Sequence, residues 1–520
     1  MRDKTAPYSN NRYTGSELIL KGVIVKKLNI SLMSIGLAMM PVLAQAFVSG
    51  STGADGDFAP TVNTQVVLPP SGILNYGTVN IPAGVTVTFK KNATNTPVVI
   101  LASGNVTIAG SIGVSGGHAT NSGAAGDGVL GDDGIPGVGG PGGFDGGRGG
   151  IGSITGTKID LGGEGLGPGG GKGGRYTTLP PYGYSTPYPA GGGGGGFGSS
   201  GAFSYPNSSS YASNLVSGGG AYGSSLQLPL IGGSGGGGGA ANLYSGSGGG
   251  GGGGAILIAA SGTVSITGGI WAHGGNGGAM AGTGGGGTGG GGSGGAIRIV
   301  ATTITGNGTL SANGGAAGVS STANYYAGGA GGIGRIRLEA EVYTRTAAST
   351  PGHSQGLPGA VFVAGLPTLS ITSVGGVAVP AEPTGNADVT LPSTTTNPVT
   401  VVFTTTGVPA GNTIKLSLKP AMGSEVTAIS PALVGDTTSA TASVSIALPD
   451  GPSSLQATVT YNIVLAMGNA LSVYAQGERV EKITLASTLG SKETKAILIT
   501  VSGKEYEVPA SVLAMAAMQG

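Results

Sequence analysis

The chain has 520 residues, room for two or three domains, and 112 of them are glycine while none is cysteine. Charged residues make up 9% and the formal net charge is +1, which excludes the basic footprint of a nucleic-acid binder, disulfide chemistry and thiolate catalysis. Glycine without a Gly-X-Y period excludes collagen, and the low charge excludes a charge-expanded disordered tail.

Taken in chain order, residues 26–46 read as a secretory signal peptide. Lys26 and Lys27 open it, an apolar core runs from Ile30 to Met40, and Ala44-Gln45-Ala46 is a small-x-small cleavage site. The apolar run is too short to span a bilayer, so the reading predicts a secreted or outer-surface protein starting at Phe47, with no transmembrane segment in the mature chain. The stretch before Lys26 is unusual for a signal start and points to translation beginning near Val23 or Val25. Residues 1–46 are therefore set aside as extension and signal peptide.

Asp55 and Asp57 follow as a turn cap, with calcium binding as the alternative. Alternating runs at 64–68, 76–81 and 85–89, punctuated by Pro69-Pro70-Ser71-Gly72 and Pro82-Ala83-Gly84, predict a cap and first coils over 47–97.

From 98 to 345 one unit recurs: a β-branched alternating strand, a tight turn, a second short strand and a glycine pair. Ile100, Ala102, Val106 and Ile108 answer to Leu257, Ala259, Val264 and Ile266, and then to Arg298, Val300, Ile304 and Gly306 with a one-residue slip. A weaker copy spans 151–163. A unit with one apolar face per strand buries it only by stacking on its neighbours. The expected fold is mainly β, a right-handed parallel β-helix or related solenoid, with an irregular β-sandwich array as the alternative. The glycine tracts at 191–196, 235–239, 248–254 and 284–295 read as long flexible loops, or else as polyproline-II-like strands packed backbone to backbone. Tyr182, Tyr184, Tyr188, Tyr205, Tyr211, Tyr222 and Tyr244, with Trp271, offer stacking-capable adhesive surface, or alternatively pin the loops to the repeat body.

The run Gly56-Asp-Phe-Ala-Pro-Thr-Val-Asn-Thr, the run Asn80-Ile-Pro-Ala-Gly-Val-Thr-Val-Thr-Phe89, the run Gly104-Asn-Val-Thr-Ile-Ala-Gly and the Gly-Gly repeats after them carry a resemblance. Over about 50–345 the chain resembles exported glycine-rich bacterial surface or adhesin-like proteins. That resemblance implies an extracellular scaffold or adhesive role and supplies no catalytic residues.

After residue 346 glycine thins and threonine, valine and proline rise. A linker at 346–367, with one strand at 360–363, leads to strand-like runs at 368–373, 386–391, 398–405, 412–418, 439–448, 454–462 and 470–475. These predict an immunoglobulin-like sandwich over 368–476. A separate C-terminal piece, 477–520, contains a hairpin turning at Ser502-Gly503-Lys504.

Catalytic chemistry finds little footing. His118, His273 and His353 share no metal-ligand spacing. Asp127, Asp132, Asp133 and Asp145 offer calcium oxygens but no EF-hand or nonapeptide pattern. No Asp, Glu, Lys or Arg lies between Arg175 and Arg298, and Lys158, Asp160, Glu164, Arg335 and Arg337 are scattered. The expectation is an exported, non-catalytic structural or adhesive protein that meets cell-surface or matrix components, polysaccharide included, or itself. The alternative is a carbohydrate- or ice-binding protein using a flat face, and behind it a polysaccharide-active enzyme. Thr263, Thr267, Thr302, Thr303, Thr305 and Thr309 do not rank with one repeat period, which counts against ice.

Overall fold

The computed structural model describes residues 47–93, 95–122, 134–152, 160–177, 188–204, 216–241, 244–280, 286–320, 327–362, 366–380, 388–421, 423–449, 451–489, 494–508, 510 and 512–513. All of them fall within one unit, Ala46–Gly520. The signal-peptide reading, the central part of the 151–163 copy, and Asp127, Asp132 and Asp133 lie outside the described residues. The molecule is mainly β.

Its first part holds, in chain order, β1 (Thr64–Val67), β2 (Ile73–Tyr76), β3 (Val79–Ile81), β4 (Thr86–Lys90), β5 (Val98–Ala102), β6 (Val106–Ile108), β7 (Ser111–Gly113), β8 (Tyr176–Thr177), β9 (Tyr188–Pro189), β10 (Ala255–Ile266), β11 (Gly269–Trp271), β12 (Ala296–Thr305), β13 (Thr309–Ser311), β14 (Arg335–Tyr343) and β15 (Ser354–Gly356). A broad sheet runs β2-β5-β10-β12-β14-β15, with β3 and β6 extending it beside the second half of β10. A narrow sheet runs β1-β4-β7-β11-β13. Pairing in both is parallel throughout. The chain crosses from broad to narrow sheet at each repeat, so Ile100, Ile258, Ile299 and Leu338 share one core with Ile112, Ile270 and Leu310.

The first half of β10 is buried on both faces. Ile256, Ile258 and Ala260 enter the main core, while Leu257 and Ala259 join Val99, Leu101 and Val300 in a second cluster roofed by Leu230 and Val361. Alternation then carries no phase, and this explains one correction. The ladder pairs Ile100 with Ile258 and Ala102 with Ala260, one residue on from the sequence alignment, whereas Val106 with Val264 and Ile108 with Ile266 stand as aligned. β5 and β6 thus hold one continuous register along β10, and the bulge between Ala260 and Thr263 belongs to the ladder of β10 with β12.

The glycine tracts are interior, not loops. Residues 232–241 send their N–H groups in rotation to three neighbours. Gly235 and Gly238 donate to Leu166 and Gly163; Gly233, Gly236 and Gly239 donate to Gly253, Gly250 and Ser247; Gly237 and Ala240 donate to Gly193 and Ala190. The same threefold rotation holds along 246–254, where Gly246 and Gly249 donate to Gly150 and Gly147, Ser247 and Gly250 to Gly287 and Gly290, and Gly251 and Gly254 to Gly117 and Val114. Three residues per turn is the period of a polyproline-II helix, which has no internal hydrogen bonds and so offers every N–H outward. A Cβ added at Gly237 would stand 2.1 Å from the Lys172 carbonyl oxygen, and one at Gly250 2.0 Å from that of Gly275. Each such bond nets about 1 kcal/mol while ordering a residue costs about 1–2 kcal/mol. The array therefore does not stand alone and depends on the apolar sheets to which every segment is joined.

Both ends of the stack are closed. Below, Asp55 and Phe58 pair with the free edge of β2 and β3: the Asp55 carboxylate accepts the Asn75 N–H at 2.6 Å, that of Asp57 accepts the Thr78 N–H at 2.7 Å, and Phe58 stacks on Tyr76 at 5.0 Å. Above, Thr350 bridges to Ser311 and the Arg345 guanidinium donates to the carbonyls of Gly306 and Gly308. Residues 360–362 form no strand, in contrast to the sequence expectation. They lie as a strap over the broad sheet, where Arg298 donates to the Ala360 carbonyl at 2.7 Å.

The second part holds β16 (Thr368–Val374), β17 (Val377–Ala378), β18 (Val399–Thr406), β19 (Thr413–Pro420), β20 (Val426–Ala432), β21 (Val434–Gly435), β22 (Ala440–Ile446), β23 (Ser453–Asn462), α1 (Leu465–Leu471), β24 (Val480–Thr488), β25 (Thr494–Thr500) and β26 (Glu505–Val508). Two antiparallel sheets, β17-β16-β18-β22-β21 and β20-β19-β23-β24-β25-β26, share a core that includes Phe403, Leu416, Val459 and Leu498. Strands β24–β26 continue the second sheet, so 477–508 is not a separate piece. Residues 388–391 carry no strand, and β20 was not foreseen because its burial does not alternate. The run at 470–475 is the end of α1 and a 3-10 turn, Ser472–Tyr474. Leu, Ala and Met are strong helix formers, and Leu471 is buried against the sheet core. No helix among the described residues is long and apolar enough to cross a membrane.

Candidate functional site

The narrow parallel sheet turns Val87, Phe89, Ile112, Ile270 and Leu310 inward, which obliges the alternate residues to face outward. Register sets Gln65, Thr88, Gly113 and Trp271 in one outward row, with Ser311 beyond Trp271 buried beneath the Thr350 bridge, and Thr86, Ser111, Gly269 and Thr309 in the next. Trp271, the one tryptophan of the chain, is partly exposed. A Cβ at Gly269 would come within 2.7 Å of its Cζ2, 3.0 Å of Cε2 and 3.2 Å of Cη2, so the indole lies across the bare Gly269 backbone. Small hydroxyl residues surround it, and Lys90 at the margin is the charged residue of β4. A flat aromatic on a rigid, uncharged, hydroxyl-bearing sheet can stack on an apolar ring face and donate its N–H to an acceptor beside it.

A second exposed array lies on the broad sheet. Asn80, Thr107, Ser265 and Thr305 stand in one column, with Thr263 beside Thr303 in the next. Asn105 accepts the Thr263 N–H at 2.8 Å, and the Thr344 and Thr305 hydroxyls meet at 2.7 Å. Thr263 thus ranks with Thr303, and Thr305 with Ser265, past the bulge before Thr263, whereas Thr309 lies on the narrow sheet opposite Gly269. Column neighbours are about 4.8 Å apart and residues two along a strand about 6.6 Å apart.

The tyrosines divide. Tyr182, Tyr184, Tyr205 and Tyr211 lie outside the described residues. The Tyr188 backbone pairs with Thr177, and Tyr244 is half-buried. Tyr222 does not point outward: it packs on Phe197 at 4.9 Å, donates to the Gly232 carbonyl at 2.6 Å and accepts from the Ser234 hydroxyl at 3.0 Å. Burial pushes its phenol far above the usual range. That residue pins a glycine segment, the second of the two roles expected of the aromatics.

The titratable candidates are held by the fold. Glu339 and Arg298, 1% and 2% exposed, form a bidentate pair at 3.0 and 3.1 Å, and Arg337 adds a bond at 2.7 Å. Burial works to raise the Glu339 carboxyl, but the hydrogen bonds and charge of Arg298, then Arg337 and the Gly359 N–H, hold it below the usual range. Arg335 donates to the Tyr222 carbonyl and lies 5.6 Å over the Phe197 ring. Asp145 pairs with Lys91 and Glu164 with Lys172, each at 2.9 Å, while Asp160 accepts the Ile151 N–H at 2.8 Å. Asp55 and Asp57 accept different strand amides, and among the described residues no three acidic or histidine side chains converge on a metal position.

Two histidines have a structural use the sequence did not reveal. Along the glycine layer, Ser115, His118 and Asn121 accept the N–H groups of His273, Asn276 and Ala279, three residues apart each time. His273 Nδ1 and Asn276 then accept from Asn313 and Ala316 in the next layer. An accepting nitrogen must be unprotonated, and burial lowers the His273 pKa. The three-residue spacing was the available signal.

Compared with known proteins, the chain matches no family model, no curated protein and no solved structure.

Proposed function

We propose that this is an exported, non-catalytic structural protein of the cell surface or extracellular matrix, adhering to surface or matrix polysaccharide through the narrow-sheet face. In this reading the first part is a parallel β-solenoid whose remaining side is built of glycine helices. The second part is an immunoglobulin-like sandwich that positions it. The observation that carries the reading is Trp271 lying flat across Gly269 on an exposed sheet with hydroxyl neighbours. Support also comes from the long stretch between Arg175 and Arg298 without Asp, Glu, Lys or Arg, which leaves contacts to stacking and hydroxyls.

The test has two arms. Surface proteolysis of intact cells, with sequencing of the mature N-terminus, should release a chain beginning at Phe47; a cytoplasmic chain retaining Met1 defeats the export premise. Sedimentation with insoluble polysaccharides should retain the wild type and lose Trp271→Ala, and equal retention of both removes the face from the account.

A second reading rests on the ranked column Asn80, Thr107, Ser265 and Thr305. Regular hydroxyl spacing on a rigid sheet suits an ordered-water or ice surface. Ice-recrystallisation inhibition lost in Thr305→Leu would favour it over adhesion, and no inhibition by the wild type would exclude it.

A further inference from the structure

A cleft of about 810 Å3 lies between the glycine segments of the first part and the β26 edge of the second. Phe144 and Ile231 from one side and Tyr474 and Val508 from the other make its lining apolar, and all four pack with the core of the antiparallel sheets. Its polar groups include three carboxylates that only accept. Glu164 and Lys172 stand on the glycine side, with Gln476, Glu505, Tyr506 and Glu507 opposite. Three carboxylates and one ammonium line the cleft, and since Lys495 outside the lining answers Glu507, the surplus is one carboxylate. Glu164 is paired with Lys172 at 2.9 Å and Glu507 with Lys495 at 3.3 Å, while the Tyr506 hydroxyl donates to Gln476 Oε1 at 3.3 Å. Glu505 is exposed and makes no ion pair or side-chain hydrogen bond among the described residues.

We propose that this cleft binds a short oligosaccharide carrying free amino groups. The volume falls in the range of small-ligand sites, which form preferentially where two bodies meet and combine apolar walls with a few convergent polar groups. A pyranose ring offers an apolar face for Phe144 and Tyr506 and a rim of hydroxyl donors for the acceptors opposite. The ammonium of an amino sugar supplies the charge that Glu505 lacks. The site is separate from the Trp271 face and does not depend on it.

The experiment is calorimetric titration of the full mature chain with glucosamine oligomers, their N-acetylated counterparts and oligogalacturonate. Glucosamine oligomers should bind, and Glu505→Gln should weaken them roughly tenfold, the loss of one charge-assisted hydrogen bond. The acetylated oligomers should bind more weakly and the acidic ones not at all. Glu505 is exposed and unpartnered, so its variant folds; Tyr506→Ala, checked for an unchanged melting temperature, removes the stacking partner. Repeating the titration in the Trp271→Ala background removes any contribution of the narrow-sheet face, and the loss caused by Glu505→Gln should persist there. No binding of the glucosamine oligomer, equal binding of both forms, or no loss in Glu505→Gln would each overturn the proposal.

Discussion

The two parts of the molecule bury a backbone in opposite ways. In the antiparallel part, side chains such as Phe403, Leu416 and Leu498 fill the space between sheets, and the backbone ladders stay within each sheet. In the glycine segments there is nothing between backbones except other backbones, and hydrogen bonds run in three directions from each helix. One interior tolerates no added atom and the other no removed one. Their charges differ as well: the first part keeps a buried pair, Arg298 with Glu339, whereas the second carries its ion pairs on the surface.

The largest effect should come from adding a methyl group to the glycine interior. Gly237→Ala combined with Gly250→Ala forces Cβ atoms to about 2 Å from carbonyl oxygens, and overpacking of even one site costs about 1–3 kcal/mol or more. The double variant should yield no folded first part by limited proteolysis. Gly220→Ala, with nothing within 4 Å of the new atom, should melt like the wild type. If all three melt alike, the glycine segments are not packed as described.

Next, Phe403→Ala empties the other interior and should lower stability by about 4 kcal/mol in urea titration. Proteolytic protection of the glycine segments should outlast that of the antiparallel sheets. Simultaneous loss would mean that the shared contacts of Ile231 and Phe144 bind the two parts into one cooperative unit.

Glu339→Gln should cost about 3 kcal/mol, because it leaves the Arg298 charge buried without its partner. The folded Glu339 carboxyl titrates below its ordinary value of 4.5. Its contribution is therefore present above that value and lost as pH falls through the lower folded one. The wild type should lose stability below about pH 4.5 with a limb that the variant lacks. His273 adds a smaller limb of the same sign: its pKa is lowered from 6.5, so stability falls as pH drops below that value, and His273→Asn should remove the limb.

The smallest effect belongs to the surface of the second part. Lys504 and Ser502 hold the Glu478 carboxyl down to about 2, yet the group is fully exposed, and Lys504→Ala should leave the melting temperature unchanged. A measurable drop would mark the β25–β26 turn as more structural than its exposure indicates.

Much of the strand content was legible in the residues themselves. Alternation at 64–67, 399–406 and 453–462 has period two because one face of each strand is buried, and a half-buried strand writes its phase into the sequence. Phase vanished where both faces are covered. The first half of β10 is apolar throughout, so Ile100 aligned with Leu257 as readily as with Ile258 until the ladder chose. Residues 470–475 misled for a related reason, since a short apolar run fits strand or helix alike. Of the candidate surface, Trp271 was visible as a lone aromatic, but its pose across Gly269 was not, because contact between residues two apart depends on the pleat and the rotamer.

What the amino-acid sequence determined by itself was the set of half-buried strands, the recurrence of a strand–turn–strand–glycine-pair unit and the places where only hydrogen could stand at Cα. Tertiary structure alone decided whether the glycine tracts were loops or interior, because a residue without a side chain carries no periodicity. Its partners are set by which N–H faces which carbonyl across segments as distant as Gly251 and Gly117. The ranking of Thr263 with Thr303 and Ser265 with Thr305 was decided there too, by a bulge that shifts register without leaving a mark in the composition.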